Sequence, residues 1–237
     1  CIARPRLVTR FSLQNNLFKK DRISILDKAR TYRSVLANRE PTIWHNKIYK
    51  KGMEPFEFKD RSLFAGSTTN KFKGVPLYPE FLALTIWPEL WTIRGRSRNP
   101  YHISDEEIEE LNYEIFPHWM EKNITEIARK RGAPQIKLLE RLVFFLLSKP
   151  NCISHTIPDF SRVINVGLRA IINEANDKRK NSTDDSNKEF YSAIYEVLEG
   201  IIAYSRKLAK RAKEMADTET DQTVKKELLA ISDINSR

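Results

Sequence analysis

The sequence predicts a mainly α-helical chain, on three observations. Apolar residues recur at steps of three and four through most of residues 104–237, which is the period of one helix face. Capping signals stand at the head of such runs, with Ser24 three residues before Asp27 and Ser104 three before Glu107. The one long stretch that lacks a period, residues 41–101, is rich in proline and holds four of the seven glycines, so it reads as ordered loop with short elements. The chain is therefore read as a single helical region over 1–237, with a loop-rich aromatic segment at 41–101 and a helical part at 104–237.

Residues 1–23 mix Leu, Phe and basic side chains without a clear pattern, and no element is assigned there. Ile25, Leu26, Ala29, Tyr32 and Leu36 follow the first capping signal at helical spacing, so a helix is expected over 24–37. In 41–101 the aromatic residues Phe56, Phe58, Phe64, Phe72, Tyr78, Phe81, Trp87 and Trp91 crowd together. Rings of that size are costly to leave in water and must pack on a surface of this chain or of a neighbour. Ile108, Leu111 and Ile115 mark the buried stripe of a helix that Ser104 starts and that Pro117 ends or kinks. The acids Asp105, Glu106, Glu107, Glu109 and Glu110 sit in its first turns, where the helix dipole favours them.

Further helices are expected over 118–131, stopped by Gly132, and over 134–148, apolar nearly all round and so central. After residue 158, Val163, Ile164, Leu168, Ile171 and Ile172 continue as a helix, and the polar run 177–188 reads as a solvated loop. From Phe190 to Met215 the three-and-four steps describe one amphipathic helix of about 28 residues. Val224, Leu228, Ile231 and Ile234 begin another, whose apolar side needs a partner. That stripe, and an opening on Cys1 in place of methionine, lead us to expect a piece of a longer polypeptide.

Composition narrows the chemistry. A net charge of +10 raises nucleic acid as a partner, but Lys and Arg are interleaved with acids and no basic-aromatic strip occurs, so no nucleic-acid partner is expected. The tightest basic group, Arg206, Lys207, Lys210, Arg211 and Lys213, has helical spacing and reads as a solvated face. Apolar runs fall short of the roughly 20 residues that span a bilayer, so no membrane partner is expected either. Only Cys1 and Cys152 occur, too few for a disulfide scaffold, which suggests a cytoplasmic setting. The loop around Gly66 and Gly74 lacks phosphate-cradle spacing. His45, His102 and His118 lack the pairing of a metal site, so no metal or bound cofactor is expected, and Cys152 has no basic neighbour in sequence that would lower its thiol pKa.

The candidate site is the hinge Ser154-His155-Thr156-Ile157-Pro158-Asp159-Phe160. Pro150 stops the preceding apolar helix, Pro158 suits the first turn of the next, and Asp159 is favourable beside its unpaired amides. His155 lies between the two helix ends. Spacing alone leaves two roles open, a hydrogen bond to a backbone carbonyl or acid-base contact with a substrate.

Three blocks in order carry a resemblance. The first is Leu63-Phe64-Ala65-Gly66-Ser67 with Lys73-Gly74-Val75-Pro76-Leu77-Tyr78-Pro79-Glu80, similar to a strand followed by a Gly, Pro and Pro-Glu turn. The second runs from Asn99-Pro100-Tyr101-His102-Ile103-Ser104-Asp105-Glu106-Glu107 to Glu114-Ile115-Phe116-Pro117-His118-Trp119. The third is the hinge itself, where relatives read Gly-His-Thr-x-Pro-Asp-Tyr, followed by Gly167-Leu168, the Phe190-Tyr191 helix and the Glu219-Thr220-Asp221 turn. Together they resemble the amino-terminal region of the glycyl radical enzymes, the pyruvate formate-lyase and diol dehydratase superfamily.

That resemblance implies a helical outer wall around a ten-stranded α/β barrel not contained in this chain. It implies a glycyl radical in the missing carboxyl-terminal part, installed by an S-adenosylmethionine radical activating enzyme, and a thiyl on a loop cysteine. Neither motif occurs in 1–237: Cys152 is followed by Ile153 and Ser154, and no glycine has the expected flanks. The chain alone is then expected to be non-catalytic. Implied partners are a small-molecule substrate of the complete enzyme, the activating enzyme, and the remainder of the enzyme or a homo-oligomer. The reaction class is formate acetyltransferase, dehydratase or decarboxylase-like, anaerobic radical lyase chemistry. In dehydratase relatives the histidine that matches His155 reaches the substrate hydroxyl. A truncated, non-catalytic relative acting as a helical interaction module stands as the alternative.

Overall fold

The computed structural model describes residues 2–45, 63–65, 77–81, 86–98, 101, 103–135, 138 and 159–237. Among them the chain is mainly helical. Helix α1, Ala3–Gln14, occupies the stretch left unassigned by sequence. Its buried residues are Pro5, Val8, Thr9 and Ser12, a true helical stripe in steps of three and four whose second half is polar. Periodicity of apolar residues cannot register such a face. The helix stops where Asn16 turns left-handed at φ 47.

Helix α2, Ile25–Asn38, follows the expected cap: the Asp27 amide donates to Ser24 Oγ at 3.1 Å and the Ser24 amide donates to Asp27 Oδ2 at 3.1 Å. Two short strands, β1 at Ile43–His45 and β2 at Leu63–Ala65, pair antiparallel with Ile43 opposite Ala65 and His45 opposite Leu63. Most of the aromatic segment 41–101 otherwise lies outside the described residues. Its described part holds two single 3₁₀ turns, Trp87–Glu89 and Ile93–Gly95.

Helix α3, Asp105–Glu110, starts on the Ser104–Glu107 capping box. It does not end before Pro117. A π-helical turn, Leu111–Ile115, leads straight into α4, Phe116–Trp119. Proline at 117 has no N–H, and its ring would strike the Tyr113 carbonyl in an unbroken α-helix; the widened turn ahead of it accommodates both.

The single helix expected over 118–131 is interrupted. Asn123, 1% exposed, donates from Nδ2 to the carbonyls of Trp119 at 2.9 Å and Met120 at 3.1 Å, and its Oδ1 accepts from the Glu126 amide at 3.0 Å. One side chain thus closes α4 and opens α5, Ile124–Arg131. Gly132 does end α5, but with φ −66 and not in the left-handed form. Of the helix expected over 134–148, Pro134, Gln135 and Leu138 are helical, and the remainder lies outside the described residues.

Helix α6, Phe160–Asn181, runs into the stretch read as a polar loop. Only residues 182–184 separate it from α7, Asp185–Thr218, which is 34 residues long. The polar run is a solvated helix end, not a loop. Lys178, Arg179 and Lys180 lie in the last turn, where cations suit the dipole, and Lys178 pairs with Glu174 at 2.8 Å. Helix α8, Gln222–Ser236, is capped by Asp221, which accepts from the amides of Thr223 and Val224.

Two apolar clusters organise these elements. One gathers Ile2, Val8, Val35, Leu90, Ile108, Leu111, Ile115, Phe116 and Trp119. The other joins Ile43 of β1 to Leu208, Ala212 and Ala216 of α7 and Val224 and Leu228 of α8. The apolar stripe of the last helix therefore finds much of its partner inside the chain, while Leu229 and Ile234 stay exposed. Among the described residues no helix is long and apolar enough to cross a membrane.

Candidate functional site

His155, with residues 151–158, lies outside the described residues, as do Cys152, Gly66 and Gly74. The described flank begins at Asp159. Its Oδ1 accepts from the Arg162 amide at 3.0 Å, so Asp159 is the N-cap of α6. Its favourable placement beside unpaired amides is unchanged. Eight residues on, Gly167 takes φ 75 and ψ 161 inside the helix. The two turns before it are set at a different angle from the rest of α6.

A second histidine, passed over in the sequence as a poor metal ligand, has a definite environment. His118 of α4 stands against α1, with its Nε2 3.0 Å from Ser12 Oγ. Its ring lies edge-on to Phe18 and Trp119, at centroid distances of 5.8 and 5.2 Å. Burial first, and the Lys122 ammonium second, push its pKa from 6.5 down to about 4. At neutral pH it is an uncharged imidazole tied to a hydroxyl. Beside it, Trp119 Nε1 donates to Thr9 Oγ1 at 2.8 Å. These two bonds explain the polar half of the α1 stripe: each small hydroxyl satisfies a buried ring nitrogen.

Two members of the acidic cluster at the start of α3, Glu110 and Asp105, are paired with arginines. Arg6 donates to both carboxylate oxygens of Glu110, at 2.6 and 2.5 Å, and this bond raises the arginine's pKa further. Asp105 accepts from Arg94 at 2.5 Å. Glu106, Glu109, Glu110, Tyr113 and Glu114 line an open depression of about 380 Å³ together with Arg10. Four carboxylates stand there against Arg10, so this side of α1 and α3 is a net acidic, open surface.

On α7, Lys210 and Arg211 stand near Glu214 at 3.9 and 3.8 Å, as a solvated face would. Lys207 differs. Its Nζ donates to the carbonyls of Ala37 and Arg39, both at 2.9 Å, closing the C-terminal end of α2. Among the described residues no group of three or more His, Cys, Asp or Glu is arranged to hold a metal ion.

Comparison with known proteins bears on what this scaffold belongs to. Residues 19–237 match the family described as pyruvate formate lyase-like. The isethionate sulfite-lyase of Nitratidesulfovibrio vulgaris is 26% identical over 190 residues, which are 74% of this chain and 23% of that protein. A solved structure concerned with 1,2-propanediol dehydration in Roseburia inulinivorans superposes with a TM-score of 0.79 at 25% identity, covering 99% of this chain and 26% of the other. A glycyl radical enzyme from Archaeoglobus fulgidus gives a TM-score of 0.78 at 24% identity, over 100% of this chain and 29% of that one, a likeness of fold. The chain spans about a quarter of the length of the relatives it matches.

Proposed function

This chain belongs to the pyruvate formate lyase-like family, and on that premise we propose that it forms the helical outer wall and one side of the substrate pocket of a larger glycyl radical lyase or dehydratase. The observation that carries this reading is the family match over 19–237 combined with relatives about four times as long. In the complete enzyme the helices pack around a barrel contributed by the remaining sequence. The radical glycine, the thiyl cysteine and the surface met by an S-adenosylmethionine activating enzyme belong to that remainder. When formed, the radical supplies hydrogen abstraction; this chain's own residues bind and orient. The substrate is a small molecule that loses a group by elimination, as the names of the sulfite-lyase and the propanediol-dehydrating relative suggest.

Within that enzyme His155 presents an imidazole to a substrate hydroxyl or carboxylate, donating or accepting one proton. Its support is the motif match at residues 154–160. General acid-base help of this kind is worth about a hundredfold to ten-thousandfold in rate. In the complete enzyme, His155→Ala is expected to lower turnover at least about a hundredfold, with melting temperature and glycyl radical content unchanged. A variant that is destabilised yet fully active per folded molecule assigns His155 to backbone support instead.

A further inference from the structure

Where the chain leaves α2, an open cavity of about 450 Å³ separates Glu40 and Pro41 from Lys207, Lys210, Arg211 and Glu214 of α7. Its charge is set by α7, where residues 206–214 carry five cations, Arg206, Lys207, Lys210, Arg211 and Lys213, and one acid, Glu214. Lys207 has two of its three donors fixed on the Ala37 and Arg39 carbonyls, both at 2.9 Å. That contact offsets the negative end of the α2 dipole, which would otherwise repel an anion from this corner. Lys210 and Arg211 come no closer to Glu214 than 3.9 and 3.8 Å. Those distances are too long for a hydrogen bond, so the donors of both side chains face water and remain available. Arg39 lays its guanidinium over the Tyr204 ring at 5.4 Å, and its Nη2 is buried without a hydrogen-bond partner. That charge adds to the positive potential of the corner.

We infer that this cavity is a binding site for a small phosphorylated polyol, such as a sugar phosphate, whose phosphoryl group lies between Lys210 and Arg211 and whose hydroxyls donate to Glu40 and Glu214. A guanidinium fork and an ammonium match the oxygens of a phosphoryl group. Volume decides against a bare oxyanion. At about 30 Å³ per water the space holds far more than one phosphate, and pockets of this size take organic molecules. The two carboxylates decide the rest of the ligand, because they repel a second anionic group and accept hydrogen bonds from hydroxyls. A dicarboxylate is thereby disfavoured, and so is an extended acidic chain. Pro41 gives the carbon skeleton an apolar wall. A ligand so held bridges α7 and the end of α2, which Lys207 already joins.

Calorimetric titration of the complete polypeptide with ribose 5-phosphate tests this, with ribose, inorganic phosphate and a short poly-aspartate peptide as comparison ligands. Ribose 5-phosphate is expected to bind at least about tenfold more tightly than phosphate, the worth of one or two added hydrogen bonds, and ribose and the peptide more weakly still. Phosphate binding as tight as that of the sugar phosphate reduces the corner to an unspecific basic surface and overturns the inference. Tighter binding of the peptide overturns it too, as does no binding at millimolar ligand. Lys210→Gln combined with Arg211→Gln locates the site. A loss of about tenfold or more in ribose 5-phosphate affinity is expected, with the melting temperature of the free protein unchanged because both side chains are exposed. Undiminished affinity puts the ligand elsewhere and sinks the assignment. Glu40→Ala supplies an arm that a general charge effect does not reproduce. Without that acid the corner is more positive, so phosphate should bind more tightly while the preference for ribose 5-phosphate over phosphate narrows. A preference left intact in that variant removes the hydroxyl contact, and the polyol with it.

Discussion

The lobe built from α1, the π turn and α4 holds together differently from the bundle of α2, α7 and α8. The lobe's core is made of large side chains, with Leu90, Ile108, Leu111, Ile115 and Phe116 almost wholly buried. Its few polar members are matched one to one, Thr9 with Trp119 and Ser12 with His118. In the bundle the buried face of α7 is Ala193, Gly200, Leu208, Ala209, Ala212 and Ala216, small at every position but Leu208. Small residues let backbones approach: a Cβ on Gly200 would lie 2.9 Å from Arg33 Cα. Around that contact, Glu196 pairs with Arg33 at 2.6 Å and Arg30 at 3.5 Å. The lobe draws on large buried side chains, whereas the bundle adds to its Leu208–Val224–Leu228 cluster a close helix approach edged by charge. Helix α2 belongs to both, since Val35 lies in the lobe's cluster and Arg33 and Leu36 face Gly200.

Three perturbations test this contrast. Phe116→Ala removes a 1% exposed ring from the lobe and should cost about 3–5 kcal/mol, read from urea unfolding. Gly200→Val forces a side chain against backbone in the bundle, and about 1–3 kcal/mol is expected. If α2 couples the two regions, both variants lower one cooperative transition; two separated transitions would show that they unfold independently.

The smallest effect comes from acid. His118 titrates near 4 in the fold and 6.5 unfolded, so between those values the unfolded state binds more protons and stability falls as pH drops from 6.5 toward 4. After discounting for the ring's partial exposure, the loss is about 1–2 kcal/mol. His118→Phe should flatten that part of the pH profile. A slope unchanged by the substitution would assign the acid sensitivity to the carboxylates.

Sequence alone determined what depends on near neighbours along the chain. The Ser24 and Ser104 caps, the Ile108-Leu111-Ile115 stripe and the long α7 are each encoded within a few residues, because a capping hydrogen bond and a helical period are local. The hinge motif around His155 was legible as family resemblance, and the family match agrees with that resemblance. Tertiary structure decided the rest. Helix α1 has no apolar period because half its buried stripe is polar, and Trp119 and His118, more than 100 residues away, make burying those hydroxyls favourable. Asn123 carries no local signal for a break within 118–131; its side chain bridges two helix ends only in the folded chain. The run 177–188 looked like loop because its polarity suits solvent, and a solvated helix end satisfies that composition equally well. Gly200 carries no local signal, since the need for an absent side chain arises only when a second helix comes within contact of it.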